Sequence, residues 1–392
     1  MKPSKGERLK VQIERLSVGG RGVARHDGLV IFVPDTAPGE QVEITLTNVK
    51  KNFAEATLTS VLNASEHRRT PPCPVAGICG GCNWQHLQYP EQIRIKRELV
   101  RESLSKFSGF DVSDINAVQP VVPSPREFRY RNRSQFHIDS GHFGYFKKAS
   151  HSIVDIDDCP ITEEAITAKI PELRKRFASL KKGRVEVSLD TDSVVRVKTA
   201  DGSVQTEDEE QGGLSFSQVN SDQNVLLVDA VVERLKSEPE IEFILDLYAG
   251  SGNFTFPIAD ALPKTHVTAV ELNDISTQAG ARRAESDYLN RVTFVTSDVG
   301  SFLSRRALAD KTAVLIDPPR SGCTPDVVKS LASSKLSLLI YVSCHPVTLA
   351  RDLSAFHAAG FELEVVRPFD MFPQTDHVET MVVLKPGNRN QN

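Results

Sequence analysis

The second half of the chain alternates short apolar runs with helical segments, and this rhythm constrains the fold more than any other feature. From about residue 241 onward, the apolar runs occupy residues 243–247, 267–270, 292–295, 313–316 and 338–342. Strands that alternate with helices form a mostly parallel sheet that helices cover on both faces. We therefore predict a doubly wound, Rossmann-like α/β domain in this half of the chain.

A different pattern marks the N-terminal part. Between residues 7 and 62, short alternating stretches are separated by glycine-containing turns, which is typical of an OB-like β-barrel that binds nucleic acid. Four basic residues are expected at its turns: Arg21, Arg25, Lys50 and Lys51. They favour an RNA-binding barrel over a plain accessory barrel.

The segment between these two regions predicts a helix followed by strands. The helix begins at Pro90 and runs to about Phe107, and residues 120–212 have the pattern of strands and turns. Within them, residues 128–133 alternate aromatic or polar residues with arginines. On a strand, one face would present Arg129, Arg131 and Arg133. Two interpretations stay open, a phosphate-binding row and an ordinary solvated strand face.

Composition limits the class of protein. A chain of 392 residues exceeds one ordinary core and indicates two or three domains. The net charge is −4, so an RNA-binding surface must be a local patch, and the acidic run at residues 207–210 is expected to be a solvated loop. The polar start does not resemble a signal peptide, and no run is long and apolar enough to cross a bilayer. We therefore expect a cytoplasmic protein.

A glycine-containing loop after the first strand of the α/β domain predicts an adenosine-cofactor site. Residues 246–253 have the pattern Asp-x-x-x-Gly-x-Gly-Asn, and Glu271 and Asp298 follow the next two strands. A carboxylate in the position of Glu271 can bind both ribose hydroxyls, and one in the position of Asp298 can bind an adenine amino group. Thr255 replaces the third glycine of the dinucleotide fingerprint, which favours S-adenosylmethionine. An ordinary strand–turn–helix connection is the alternative.

A candidate thiol nucleophile lies at the same edge of the predicted sheet. The motif at residues 317–320, Asp-Pro-Pro-Arg, follows the fourth strand, and Cys344 follows the fifth. Uracil carbon 5 is a poor nucleophile, but a thiolate that adds to carbon 6 activates it for methylation, after which a base must remove the carbon-5 proton. Glu379, just before the strand at 381–384, is the candidate base. A buried structural thiol is the alternative for Cys344.

The other cysteines also point away from disulfides. The chain has six cysteines, and in a cytosolic protein of this length metal binding or catalysis is the better interpretation. Four of them could bind zinc, although the spacing of Cys73, Cys79 and Cys82, with Cys159 far beyond them, does not resemble a zinc ribbon.

Together these motifs resemble the RNA 5-methyluridine methyltransferases that carry a TRAM barrel and a 4Fe–4S cluster. The resemblance covers nearly the whole length. It is carried by the following motifs: Gly-Gly-Arg-Gly-Val-Ala-Arg at 19–25, the cysteines at 73–82 with Asp-Cys-Pro at 158–160, Phe-Ser-Gln-Val-Asn at 216–220, Ser-Cys-His-Pro at 343–346, and residues 370–379.

The resemblance implies an architecture and a set of site residues. It implies a TRAM barrel at 1–62, a small central iron–sulfur domain at 63–213 with a helical insertion near 90–116, and a class I methyltransferase domain at 214–392. The cofactor-binding residues would be Gln218, Tyr248, Asn253, Glu271, Asp298 and Asp317. Cys344 would be the nucleophile and Glu379 the base. The 4Fe–4S cluster would be bound by Cys73, Cys79, Cys82 and Cys159, and its expected role is structural.

The resemblance also implies a monomer that methylates 23S ribosomal RNA, with transfer RNA uridine 54 as the alternative substrate. An iron–sulfur oxidoreductase and a non-catalytic RNA-binding module are alternatives of other classes. The sequence departs from the family at His345, where Asn is common, and at Pro319 and Cys323. Cys323 suggests the two-cysteine 5-methylcytidine enzymes, but these place a thiol where Arg320 stands.

Overall fold

The structure is a computed structural model that describes residues 3–189, 195–199 and 218–387. These residues form two compact units. One comprises residues 3–95, 126–189, 195–199 and 372–377, and the other comprises residues 96–125, 218–371 and 378–387. The acidic run predicted as a loop at 207–210 lies outside the described residues. Within the described ranges, no helix is both long and apolar enough to span a membrane.

The first unit begins with a curled six-stranded sheet. Its strands are β1 (Arg8–Gln12), β2 (Arg15–Leu16), β3 (Gly22–His26), β4 (Leu29–Val33), β5 (Gln41–Val49) and β6 (Phe53–Asn63), in the order β1-β5-β6-β4-β3-β2. Alternate residues point inward, so aliphatic side chains such as Ile13, Ile31 and Ile44 form its core. The prediction that all four basic residues lie at turns is wrong for Arg25, which lies within β3. Its position follows from the β3–β4 pairing, where it lies opposite Val30.

Helix α1 (Tyr89–Phe107) follows the barrel, as predicted. Its residues up to Ile95 belong to the first unit and those from Lys96 to the second. A single 3₁₀ turn, Ile115–Ala117, follows it. Asp114 caps this turn by accepting a hydrogen bond from the Asn116 amide.

A second sheet completes the first unit. It contains β7 (Arg133–Asp139), β8 (His142–Phe146), β9 (Ile153–Asp155), β10 (Lys182–Leu189) and β11 (Val195–Thr199), in the antiparallel order β11-β10-β7-β8-β9. Two short helices, α2 (Glu164–Thr167) and α3 (Ile170–Arg176), interrupt the predicted run of strands and turns. Their apolar residues, including Ile166 and Leu173, join the core beneath one face of the sheet.

The predicted arginine strand at 128–133 is wrong, because β7 begins only at Arg133. Arg129 has a left-handed backbone with φ 54°, which no strand accommodates. Its guanidinium donates two hydrogen bonds of 2.7 Å to the carboxylate of Asp158. Neither the phosphate-binding row nor the solvated strand face is formed.

The second unit contains the predicted doubly wound domain. Its elements are α4 (Ser221–Lys236), β12 (Phe243–Leu247), α5 (Thr255–Ala261), β13 (His266–Glu271), α6 (Asp274–Asp287), β14 (Val292–Thr296), α7 (Val299–Leu303), β15 (Thr312–Ile316), α8 (Pro325–Ala332), β16 (Leu338–Ser343), α9 (Pro346–Ala358), β17 (Phe361–Phe369) and β18 (Glu379–Pro386). The strand order is β14-β13-β12-β15-β16-β18-β17.

The sheet of the second unit confirms the α/β prediction and positions the site. Strands β12 to β16 are parallel, and β18 joins β16 in antiparallel pairing. Every residue of β15 and β16 is buried, because both faces of a parallel sheet are covered. The polar residues that follow these strands therefore lie together at their carboxyl ends, where doubly wound proteins bind ligands.

Candidate active site

Strand pairing brings Cys344 and Glu379 together. Strands β16 and β18 are antiparallel, and Ser343 lies opposite Thr380 in their register. Cys344 directly follows β16 and Glu379 is the first residue of β18, so both residues lie at the same end of this strand pair. The two side chains are close enough for the charge of Glu379 to act on the Cys344 thiol. The predicted nucleophile and base thus lie close together, although they are 35 positions apart along the chain.

The surroundings favour the uncharged forms of both groups. Burial raises the pKa of the Cys344 thiol to about 12, and the carboxylates of Glu379 and Asp317 contribute to the increase. The Glu379 side chain is buried, and its pKa is well above the usual range because of burial and the nearby Asp317. A carboxyl group with a raised pKa is suited to proton exchange with substrate.

Two features act in the opposite direction on the thiol. The positive charge of Arg320 lowers the pKa of Cys344. Helix α9 begins two residues after Cys344, with His345 as its N-cap: the His345 Nδ1 accepts a hydrogen bond from the Thr348 amide at 3.3 Å. A helix N-terminus stabilises a nearby thiolate through its peptide dipoles. The departure at His345 therefore retains a capping role.

The glycine loop after β12 has the tight geometry expected of it. Gly250 and Gly252 have φ angles of 58° and 103°, a conformation that glycine adopts without steric cost. A Cβ at Gly252 would also lie 2.5 Å from the ring of Phe256. At the end of β13, the Glu271 carboxylate accepts hydrogen bonds from the amides of Gly250, at 3.0 Å, and Asn273, at 2.7 Å. The predicted ribose-binding acid therefore also shapes the loop.

Asp246 and Asp317 form a second acidic pair at this edge. Burial raises the pKa of both carboxyl groups, and for Asp317 the neighbouring Asp246 adds to the increase. The Thr255 hydroxyl donates a 2.5 Å hydrogen bond to Asp246 Oδ2, so the residue that replaces the third glycine has a structural task. Asp246 Oδ1 is buried and has no hydrogen-bond partner within the described part of the chain.

Asn253 is linked to a residue that sequence reasoning missed. The side-chain amides of Asn253 and Asn224 bond reciprocally, at 2.8 and 3.1 Å. Asn224 lies in the first turns of α4, whose N-cap is the buried Asn220. Gln218 lies just before that cap and is half-buried. A helix that opens with an Asn four residues before another Asn was the available signal, since both then lie near one end of one helix face.

The remaining predicted cofactor residues are Asp298 and Tyr248. Asp298 is the N-cap of α7 and accepts a hydrogen bond from the Ser301 amide at 2.9 Å. Tyr248 follows β12 with φ 64°, and burial and the nearby Cys323 raise the pKa of its hydroxyl. Cys323 is itself buried, and its amide donates to Asp352 Oδ2 at 2.8 Å. Cys323 thus lies near Tyr248, one of the predicted cofactor residues.

Four cysteines of the first unit line a separate cavity. Cys73, Cys79, Cys82 and Cys159 surround a space of about 170 Å³, together with Tyr145 and other residues of the central sheet. Burial raises the pKa of Cys82 to about 12, and the charges of the other three cysteines add to the increase. Across the described ranges, no three or more His, Cys, Asp or Glu side chains are close enough to hold one metal ion.

Comparisons with known proteins agree with this geometry. Residues 178–386 match the tRNA (uracil-5-)-methyltransferase family. The chain is 43% identical to an uncharacterized RNA methyltransferase of Bdellovibrio bacteriovorus, over 98% of this chain and 96% of the relative. It is 32% identical to one of Thermotoga maritima, over 97% and 99%. The chain belongs to the tRNA (uracil-5-)-methyltransferase family.

A solved structure supports the membership over nearly the full length. The crystal structure of the Pyrococcus abyssi tRNA (uracil-54, C5)-methyltransferase in complex with S-adenosyl-L-homocysteine superposes with a TM-score of 0.72 and 25% identity. The superposition covers 96% of this chain and 100% of the Pyrococcus abyssi chain. Residues 3–59 match the TRAM domain. The predicted class of enzyme, an S-adenosylmethionine-dependent RNA (uracil-5-)-methyltransferase with an N-terminal TRAM domain, is thereby confirmed, and the oxidoreductase and binding-only alternatives are set aside.

Proposed function

We propose that this methyltransferase modifies carbon 5 of one specific uridine in 23S ribosomal RNA, through a covalent bond between Cys344 and carbon 6 of the base. The proximity of Cys344 and Glu379, at the same end of the antiparallel strands β16 and β18, is the observation that carries the proposal. A chemistry that needs both a nucleophile and a base at one nucleotide gives both residues a task.

In the proposed mechanism, the Cys344 thiolate forms a bond to carbon 6, and the electron pair moves to carbon 5. S-adenosylmethionine would supply the methyl group: carbon 5 forms a bond to the methyl carbon as the sulfonium–methyl bond breaks, and S-adenosylhomocysteine leaves. The Glu379 carboxylate then takes the carbon-5 proton, the carbon 6–sulfur bond breaks, and the electron pair returns to the thiolate. Arg320 favours the thiolate form of Cys344. The raised pKa of Glu379 makes its carboxylate a stronger base for the carbon-5 proton.

The residues at the glycine loop fit the methyl donor. Glu271 is proposed to bind the ribose hydroxyls, Asp298 the adenine amino group, and Gln218, Tyr248, Asn253 and Asp317 the rest of the donor. The buried acceptor on Asp246 Oδ1, next to Asp317, suits a positively charged ligand. Asn224 is proposed to orient Asn253 through their paired amides.

We also propose that the cysteine cavity holds a 4Fe–4S cluster. The donor set is four cysteines, the usual ligands of such clusters. The Gly81 amide donates to Cys79 Sγ at 3.4 Å, the kind of hydrogen bond that stabilises cluster thiolates. Cys73, Cys79, Cys82 and Cys159 would hold the cluster and supply its thiolates. The cluster would connect segments 73–82 and 159 and so stabilise the central sheet.

Transfer RNA is the second candidate substrate. It is supported by the likeness to the Pyrococcus abyssi enzyme over nearly the whole chain. Labelled S-adenosylmethionine, incubated with purified unmodified ribosomal RNA and, separately, with unmodified transfer RNA, distinguishes the candidates. We expect label in 5-methyluridine of ribosomal RNA. Label only in transfer RNA would replace the substrate but keep the chemistry, and label in another nucleoside would refute the proposal.

A further inference from the structure

The central sheet of the first unit has one covered and one exposed face. Helices α2 and α3 contribute Ile166, Ile170 and Leu173 to the core on the covered face. On β7 and β10, alternate residues are buried in that core, and the residues between them are partly or fully exposed, except Ser188. A sheet covered by helices on one side and open on the other is the arrangement by which RRM domains bind single-stranded RNA.

An aromatic pair lies on the open face, at the middle of the sheet. His137 is on β7, the central strand, and Phe146 is on the neighbouring β8. Their ring centroids are 3.8 Å apart at an interplanar angle of 20°. His151 contacts the Phe146 ring edge-to-face at 5.5 Å. Both stacked rings are half-exposed, so they offer a platform on which a further flat ring can stack.

Basic residues surround this platform. The strand registers place five of them on the open face: Arg133, Lys182, Arg184, Arg196 and Lys198. Three acidic residues share the face: Asp139, Asp155 and Glu186. The Glu186 carboxylate lies 3.6 Å from the Arg133 guanidinium, and the Asp155 carboxylate bonds to His142. The face therefore carries a positive surplus, although the whole chain has a net charge of −4.

The protonation of His137 suits stacking rather than ion pairing. Burial and the positive charge of Arg184, directly opposite on β10, lower the pKa of His137. A neutral imidazole stacks on a nucleobase, whose own faces are neutral. Lys182, Arg184 and Lys198 of the same face are exposed, and their charged groups are suited to phosphates.

We propose that this open face, comprising His137, Phe146, Lys182, Arg184 and Lys198, is a binding surface for single-stranded RNA. One base would stack on the His137–Phe146 pair, and the basic side chains would contact the flanking phosphates. The inference rests on the proposed function only in that RNA is the substrate. It adds an RNA-binding surface to the TRAM domain.

The test measures direct binding, which does not require methylation. The probe is a fluorescein-labelled oligouridylate of about twelve nucleotides, alone or annealed to oligoadenylate. We expect Phe146→Ala to weaken single-strand binding about tenfold and Phe146→Tyr to restore it. Arg184→Glu should weaken binding and reduce its dependence on salt concentration. Lys175→Glu, the same charge change at an exposed position of α3, on the covered side, is the matched control.

Each outcome decides the matter. Weakened single-strand binding in Phe146→Ala and Arg184→Glu, with unchanged binding in Lys175→Glu, supports the surface. Wild-type affinity in both Phe146→Ala and Arg184→Glu overturns the proposal. It is also overturned if Phe146→Tyr and Lys175→Glu lose as much affinity as those two variants. Equal losses for the duplex would also contradict it, because paired bases cannot stack on the platform. If these variants lose binding but the wild-type protein methylates no uridine, the RNA-binding surface is supported and only the proposed function is refuted.

Discussion

The cysteine cavity and the surroundings of Cys344 place the same type of side chain in contrasting environments. In the cavity, Cys82 faces three other cysteines, whose charges add to the effect of burial in raising its pKa. Cys344, by contrast, lies near two carboxyl groups, the Arg320 guanidinium and the start of α9. Neighbouring thiolates repel one another, so a cluster of them needs a cation to be stable. A thiol beside a base, a cation and a helix N-terminus can cycle between its protonation states. The neighbours, not the cysteine, distinguish a ligand from a nucleophile.

The largest expected effect is that of Cys344→Ala, which should abolish methyl transfer and covalent RNA adducts, a loss of about a thousandfold or more. Iron content should be unchanged, because Cys344 does not line the cysteine cavity. The measurement is transfer of labelled methyl groups together with a denaturing gel for protein–RNA adducts. Cys323→Ala, which removes another buried thiol of the same unit, is the control and should still form adducts. Adducts in Cys344→Ala would assign the nucleophile elsewhere.

Glu379→Gln should reduce turnover by about a hundredfold to ten-thousandfold, because it removes the base for the carbon-5 proton. The adduct should form and persist, with the methyl group already transferred. Gel analysis with labelled methyl donor detects this trapped species. Glu362→Gln, an exposed position on β17, should turn over normally. Rapid release of product by Glu379→Gln would remove Glu379 from the mechanism.

Arg320→Gln should slow adduct formation about tenfold at neutral pH. Arg320 lowers the pKa of Cys344, so its loss raises a pKa that is already about 12 and reduces the thiolate fraction. Below that pKa, the thiolate fraction and the rate of adduct formation should rise with pH in both proteins. Single-turnover rates between about pH 6 and 9 measure this. A rate in the variant equal to that of the wild type across the range would separate Arg320 from thiol activation.

Cys159→Ser should have the smallest effect on the chemical step. We expect loss of bound iron and sulfide and a lower free energy of unfolding, by about 4 kcal/mol or more, as for other lost metal sites. At temperatures where the protein remains folded, methyl transfer should fall less than tenfold. Elemental analysis of anaerobically purified protein and thermal unfolding test this. Wild-type iron content in the variant, or zinc alone in the wild type, would contradict a cluster ligated by Cys159.

The strands were the most predictable part of the fold. The apolar runs at 243–247 and 338–342 correspond to β12 and β16, because a strand buried on both faces is predominantly apolar. The strand predicted at 128–133 was wrong, because an alternating sequence pattern does not reveal that Arg129 has a left-handed backbone. The pairing of Arg129 with Asp158 depends on a residue 29 positions away. Local patterns carry no information on such contacts.

At the candidate site, residue types were predictable but partnerships were not. Glu271, Asp298 and Cys344 could be located because each follows an apolar strand, and strand ends meet at one edge of a parallel sheet. Asn224 was missed because its significance lies in its bonds to Asn253 on another element. The cap formed by His345 likewise appears only once α9 is in place.

The sequence alone determined the α/β class, the N-terminal barrel, the thiol and acid candidates and the four cysteines, since these follow from periodicity, turn residues and motifs. The tertiary structure decided which side chains face one another. It brought Cys344 close to Glu379, gathered four cysteines around one cavity and left the stacked rings of His137 and Phe146 half-exposed on one face of a sheet. The reason is physical. Strand register and helix packing are fixed by burial of apolar surface summed over a whole unit, and no short segment contains that sum.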